Sequence, residues 1–158
     1  MSSRQELDAQ EALVCTMVLV AATGGGITDR EIGVMSALVQ TLPVFRGFTR
    51  EHLQKATEAA VGLLDETDGL AHATRLIRAA LEPRLRETAY AFACEVAAAD
   101  RITRQDCLEM LRLIRQELGL DRLVSAAIER GTRVRYQPLQ AKAGKEAAEA
   151  EAPAHTRN

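Results

Sequence analysis

The sequence predicts an all-α fold of about seven helices, and three observations carry that expectation. Aromatic residues make up only 3% of the chain and Trp is absent, while Ala, Leu, Glu and Arg abound, so local propensities favour helix over strand. Apolar residues recur at three- and four-residue intervals through most of the first 130 positions. Glycine, proline and capping residues punctuate that periodicity at regular intervals. With 158 residues and 47% hydrophobic content, the chain suits one domain with one sizeable core.

Residues 1–4 are expected to fray, and a first helix runs from about Gln5 to Ala22. Leu7, Leu13, Val14, Met17, Val18 and Ala21 mark its inward side. Between Ala12 and Ala22 it is apolar almost all round, as in a helix buried on most sides. Gly24, Gly25 and Gly26 end it, since glycine takes left-handed backbone angles without steric cost. Thr28 to Glu31 spells Thr-x-x-Glu, a capping box that starts a second helix reaching about Thr41, with Ile32, Met35, Leu38 and Val39 inward. Pro43 and Gly47 mark the next turn. Thr49 caps a third helix over about Arg50 to Leu64, with Leu53, Ala56, Ala60, Val61 and Leu64 facing in.

Asp65 to Gly69 reads as a turn. A calcium loop does not fit there, because Gly69 at its sixth position would put Leu64 at the first ligand. A fourth helix spans about Leu70 to Leu81, and Pro83 opens a fifth that reaches about Ala99. Leu85, Ala89, Phe92, Ala93, Val96 and Ala97 give the fifth helix an apolar circumference, and its alanines let a neighbouring backbone come close. A sixth helix, capped by Thr103 and closed by Gly119, has Cys107, Met110, Leu111, Ile114 and Leu118 inward. The seventh runs from about Asp121 to Arg130 on Leu123, Val124, Ala127 and Ile128. Past Gly131 the periodicity stops, so residues 1–131 are expected to form the helical domain. Residues 132–158, rich in alanine and mixed charge, are read as a flexible tail that cannot bury enough surface to offset ordering.

The chain also repeats itself. Val20-Ala21-Ala22 falls on Val96-Ala97-Ala98, and Glu11 on Glu87; with one residue removed from the second copy, Ile27-Thr28 falls on Ile102-Thr103, Glu31 on Asp106 and Met35 on Met110. Helices one to three thus match five to seven, with helix four as the link. Two such halves are expected to pack about a pseudo-two-fold axis with helices one and five against each other.

The repeated pattern, small-Ala-Ala-Asp-Gly-x-Ile-x-x-x-Glu, resembles that of the tellurite-resistance TerB-like family over roughly Leu7 to Arg130. The resemblance implies a compact helical fold and no catalytic activity. It also implies placement in bacterial stress systems, in the cytoplasm or at a membrane, and a divalent-metal role for the acidic turn residues. The motif is incomplete in each copy. Gly24 stands where the family has Asp, although Gly25, Ile27 and Glu31 fit; in the second copy Asp100 fits, Arg101 runs directly into Ile102, and Asp106 replaces Glu. The metal ligands implied are therefore Asp100, Asp106 and Glu31, and the ions calcium or magnesium; no other cofactor is expected. Helix-start geometry explains Glu31 and Asp106 equally well without an ion.

Other chemistries find little footing. The formal charge of −2 lacks the positive excess that nucleic acid attracts, and Arg101, Arg104, Arg112, Arg115 and Arg122 are interleaved with acids as on a solvated helix face. The uncharged run Ala12 to Thr28 ends in Thr, Gly and Ile, leaving too few apolar residues to span a bilayer, and the N-terminal residues carry no basic signal-peptide start. Cytoplasm is the expected compartment, with peripheral membrane contact open. Cys15, Cys94 and Cys107 lack metal-knuckle spacing, His52, His72 and His155 stand near no nucleophile pattern, and the triple glycine lacks a following Gly-Lys-Ser/Thr. A non-enzymatic module that binds a protein is the expected function. The alternative is a structural or regulatory adaptor that binds no ion.

Overall fold

The structure, a computed structural model, describes residues 6–99 and 105–140. Among them lie seven α-helices and no strand: α1 (Ala9–Ala21), α2 (Asp29–Thr41), α3 (Arg50–Leu64), α4 (Gly69–Ala80), α5 (Pro83–Ala99), α6 (Gln105–Glu117) and α7 (Arg122–Arg135). The all-α expectation holds. The capping residue expected at Thr103, the start of the first helix at Gln5, and the tail beyond residue 140 lie outside the described residues.

Helix α1 is the axis of the molecule. Every residue from Ala12 to Ala21 is buried, because α5, α3 and α4 pack around it and α2 and α6 complete the enclosure. Leu13 and Met17 are wholly enclosed, and each contributes about 2 kcal/mol through removal of apolar surface from water. The one hydroxyl in this stretch, Thr16, donates to Ala12 O at 2.8 Å and so enters the core satisfied. The helix begins later than its periodicity predicts. Asp8 and Glu11 form a capping box, each carboxylate accepting from the other residue's backbone N–H, and this fixes the start at Ala9.

The helices around α1 pack in pairs. α1 packs on α3 and α5 on α7, while α2 leans on α5 and α6 on α1 and the turn that follows it. That turn is a short 3-10 segment, Ala22–Gly24, and Gly25 reverses the chain at φ 84°. Thr28 and Glu31 then cap α2 reciprocally, as their spacing predicts. A second 3-10 segment, Pro43–Phe45, sets Phe45 into the core between Phe48 and Phe92, at centroid distances of 5.5 and 5.7 Å. All three phenylalanines of the chain thus meet in one cluster. The Gln10 amide donates to Val44 O and Arg46 O and holds this corner to α1.

Entry into α4 depends on a close backbone approach. Asp68 takes a left-handed φ of 55°, and a Cβ on the buried Gly69 would lie 2.2 Å from Leu63 O, so only glycine fits. Arginines tie the far end of α4 to its neighbours. Arg86 donates to Leu81 O and Arg78 O, and Arg78 donates to Glu117 O at the end of α6, meeting carbonyls left over at two helix ends.

Four inward assignments are corrected by the structure. Ile32 is 50% exposed, Val61 39% and Leu123 82%, and Ala127 is exposed as well. In α7 the buried positions are Ser125 and Thr132, whose hydroxyls donate to Asp121 O and Ile128 O within their own helix. Small side chains with internally satisfied hydroxyls let α7 approach the alanines of α5, and Leu123 is turned outward. α7 also continues to Arg135, beyond the Arg130 at which the periodicity predicts its end.

Candidate functional site

Helices α5, α6 and α7 enclose a cleft of about 1140 Å³, with Arg30 from the start of α2 at its edge. Its base is polar and fully partnered. Tyr90 of α5 is completely buried, flanked by Ala89 and Ala93, and its Oη donates to Glu129 Oε1 of α7 at 2.5 Å. Arg115 of α6 donates through Nη1 to the same oxygen at 2.6 Å. One carboxylate therefore joins three helices.

Electrostatics follow from this arrangement. Burial, and then the hydrogen bond to Glu129, hold the Tyr90 phenol protonated well above the ordinary tyrosine range. Burial pushes the Cys94 thiol from 9.0 up to about 12, against the opposing pull of a hydrogen bond with Tyr90. Burial also works against the Arg115 charge, but the hydrogen bond to Glu129 and the neighbouring Tyr90 and Glu129 more than offset it. Cys94 is thus a poor nucleophile, and the base of the cleft is a neutral, closed network.

A second ion pair stands near the end of α7. The Glu95 carboxylate is 6% exposed and accepts from Arg135, whose guanidinium remains largely in water. Ala97, Leu108 and Leu111 supply apolar wall, with Leu108 half exposed. Arg30, Arg112 and Arg133 stand around the opening and make no side-chain hydrogen bond or ion pair among the described residues.

The acids singled out for a cation are placed differently. Asp100 lies outside the described residues. Glu31 is buried, and one of its oxygens accepts from Thr28 N in the α2 capping box. Asp106 is exposed in the first turn of α6 and accepts from Cys107 N at 2.9 Å. Among the described residues no group of three or more His, Cys, Asp or Glu side chains is gathered as a metal would require. The histidines described have local roles. His52 Nδ1 accepts from Thr49 N at the start of α3, and His72 pairs with Glu66 at 3.4 Å.

Sequence reasoning did not find the Tyr90–Glu129–Arg115 network. Glu129 and Arg115 look like ordinary surface charges on amphipathic helices, and nothing in their spacing pairs them. The one available signal was Tyr90, a hydroxyl set in the apolar circumference of the fifth helix, which must find a partner when buried.

A helical bundle with a central buried helix and a cleft closed by a satisfied polar network defines an all-α module. The family model for Tellurite resistance protein TerB matches residues 10–130, and the chain belongs to the TerB family. No match was found among curated proteins or solved structures.

Proposed function

We propose that this chain is a non-enzymatic helical module that acts by docking an amphipathic helix of a protein partner, within a bacterial stress-response complex in the cytoplasm. Membership of the TerB family supports the module and the stress setting. The outward face of α7 supports the docking. Leu123, Ala127, Gly131 and Val134 are all exposed and follow one another at three- and four-residue spacing, with the exposed Ala126 and Arg130 beside them. Leu123 at 82% and Val134 at 52% exposure are the apolar ends of this stripe, and the small residues between them let a partner backbone come close. Arg130 would meet an acid on the partner helix.

Affinity capture with wild type and with a Leu123→Asp/Val134→Asp variant tests this reading. The same bacterial protein should be retained by wild type and lost with the variant, at equal helical circular dichroism. Equal retention by both overturns it, as does vesicle binding that depends on the same two residues. Among the described residues no helix is long and apolar enough to cross a membrane.

The family resemblance carries a second element: a divalent cation held between helices α5 and α6, with Asp100 as principal ligand and Asp106 and Glu31 as the others. Calorimetric titration of calcium and magnesium into wild type and Asp100→Ala tests it. Equal, negligible heats remove it.

A further inference from the structure

We propose that the cleft between α5, α6 and α7 binds a small phosphate monoester with a flat apolar body. The site is distinct from the outward stripe of α7, so either proposal can fail without the other.

Charge is the first argument. The chain as a whole carries −2, yet this cleft runs the other way. Arg115 is neutralised by Glu129 and Arg135 by Glu95, which leaves Arg30, Arg112 and Arg133 against Glu109, a net of two positive charges among the described residues that line the cleft. A phosphate monoester carries about −1.5 to −2 at neutral pH, so the match is close. The three arginines come from three different helices and all line this one cleft. Guanidinium groups offer paired donors that fit phosphate oxygens, and none of these three is engaged elsewhere among the described residues.

Shape is the second argument. A space of about 1140 Å³ stands just above the usual range of roughly 300–1,000 Å³ for small-molecule sites, enough for a phosphate and a ring system. Ala97, Leu108 and Leu111 give the lining an apolar part, and Tyr136 adds a partly exposed ring. The base cannot compete for the ligand, because Tyr90, Glu129 and Arg115 already satisfy one another. The phosphate therefore sits at the mouth and the apolar body lies inward.

Two-dimensional amide NMR of the full chain tests the assignment, with adenosine 5′-monophosphate and phenyl phosphate as probes and adenosine, inorganic phosphate and citrate as controls. Both monoesters should shift the amides of Ala97, Leu108, Arg112 and Arg133 saturably, and at lower concentration than inorganic phosphate or citrate. Adenosine alone should give no saturable shift. Arg112→Gln and Arg133→Gln should each weaken binding about tenfold, in keeping with loss of one charge-assisted contact, while Arg130→Gln on the outward stripe binds as wild type. No saturable shift with either monoester overturns the proposal. So does equal binding of citrate, or affinity unchanged in both cleft variants.

Discussion

Tyr90 and Glu129, 39 residues apart in sequence, meet at 2.5 Å across the contact between α5 and α7. Burial and this hydrogen bond keep the phenol protonated, and Cys94, one turn further along α5, is held protonated up to about 12. The unfolded chain releases these protons at ordinary values, so at alkaline pH the folded state binds more protons than the unfolded state. Their contribution to stability is complete below the unfolded values and is lost as pH rises. For Cys94 the window opens near 9.0 and closes near 12. Urea unfolding followed across that window should show stability falling by up to about 1.4 kcal/mol per pH unit for each group. Cys94→Ala should make the fall shallower, and a wild-type profile that is flat or rising would contradict the network.

Gly69 leaves no room for a side chain. A methyl group would press on Leu63 O and on the Leu64 backbone at 2.2–2.9 Å, and backbone cannot swing aside as a flexible side chain could. Gly69→Ala should cost about 3 kcal/mol, the upper end of the usual overpacking penalty, despite alanine's better helix propensity. Thermal melts would show it directly. A variant at least as stable as wild type would mean that the α3–α4 corner opens easily.

The last turn of α7 is tied down by the pair of Arg135 with the buried Glu95. A chain ending at Gly131 should keep its helical circular dichroism yet unfold at lower denaturant than one ending at Gln140. Arg135→Ala in the full chain should reproduce about 1 kcal/mol of that loss, the usual cost of leaving a buried acceptor without its donor. Identical midpoints for the two shortened chains would show that this pair contributes nothing.

Thr28 and Glu31 satisfy two backbone donors at the start of α2. Thr28→Ala should cost about 1 kcal/mol by chemical denaturation. Glu31→Gln should cost less, because an amide oxygen can still accept from Thr28 N. A larger loss for Glu31→Gln than for Thr28→Ala would point to a role for the carboxylate beyond the cap.

Sequence reasoning read the helices well because their signals are local. Thr28, Thr49 and Pro83 each announce a helix start through their own backbone chemistry, and α2, α3 and α5 begin where those residues place them. Asp8 carried the same signal for α1 but was overrun because Leu7, just before it, falls in register with the apolar residues that follow. Leu123 failed for a different reason. α7 has two faces that could be buried, and the choice fell to the one whose Ser125 and Thr132 can approach α5 closely. Propensity and period describe one helix at a time, whereas that choice is made by the neighbour. The cleft was illegible for the same reason, since its partners come from α5, α6 and α7 and meet only after the bundle has closed.

The crossed pairing of α2 on α5 and α6 on α1 has a kinetic side. α2 and α6 each pack against a helix distant in the chain, so neither completes its packing through its sequence neighbours alone. Folding must bring residues from distant parts of the chain together before either arm gains its contacts, and this loop closure precedes its reward. Once made, the crossed contacts work as a mutual latch: release of either helix uncovers the one it covers, so unfolding should proceed as a single event.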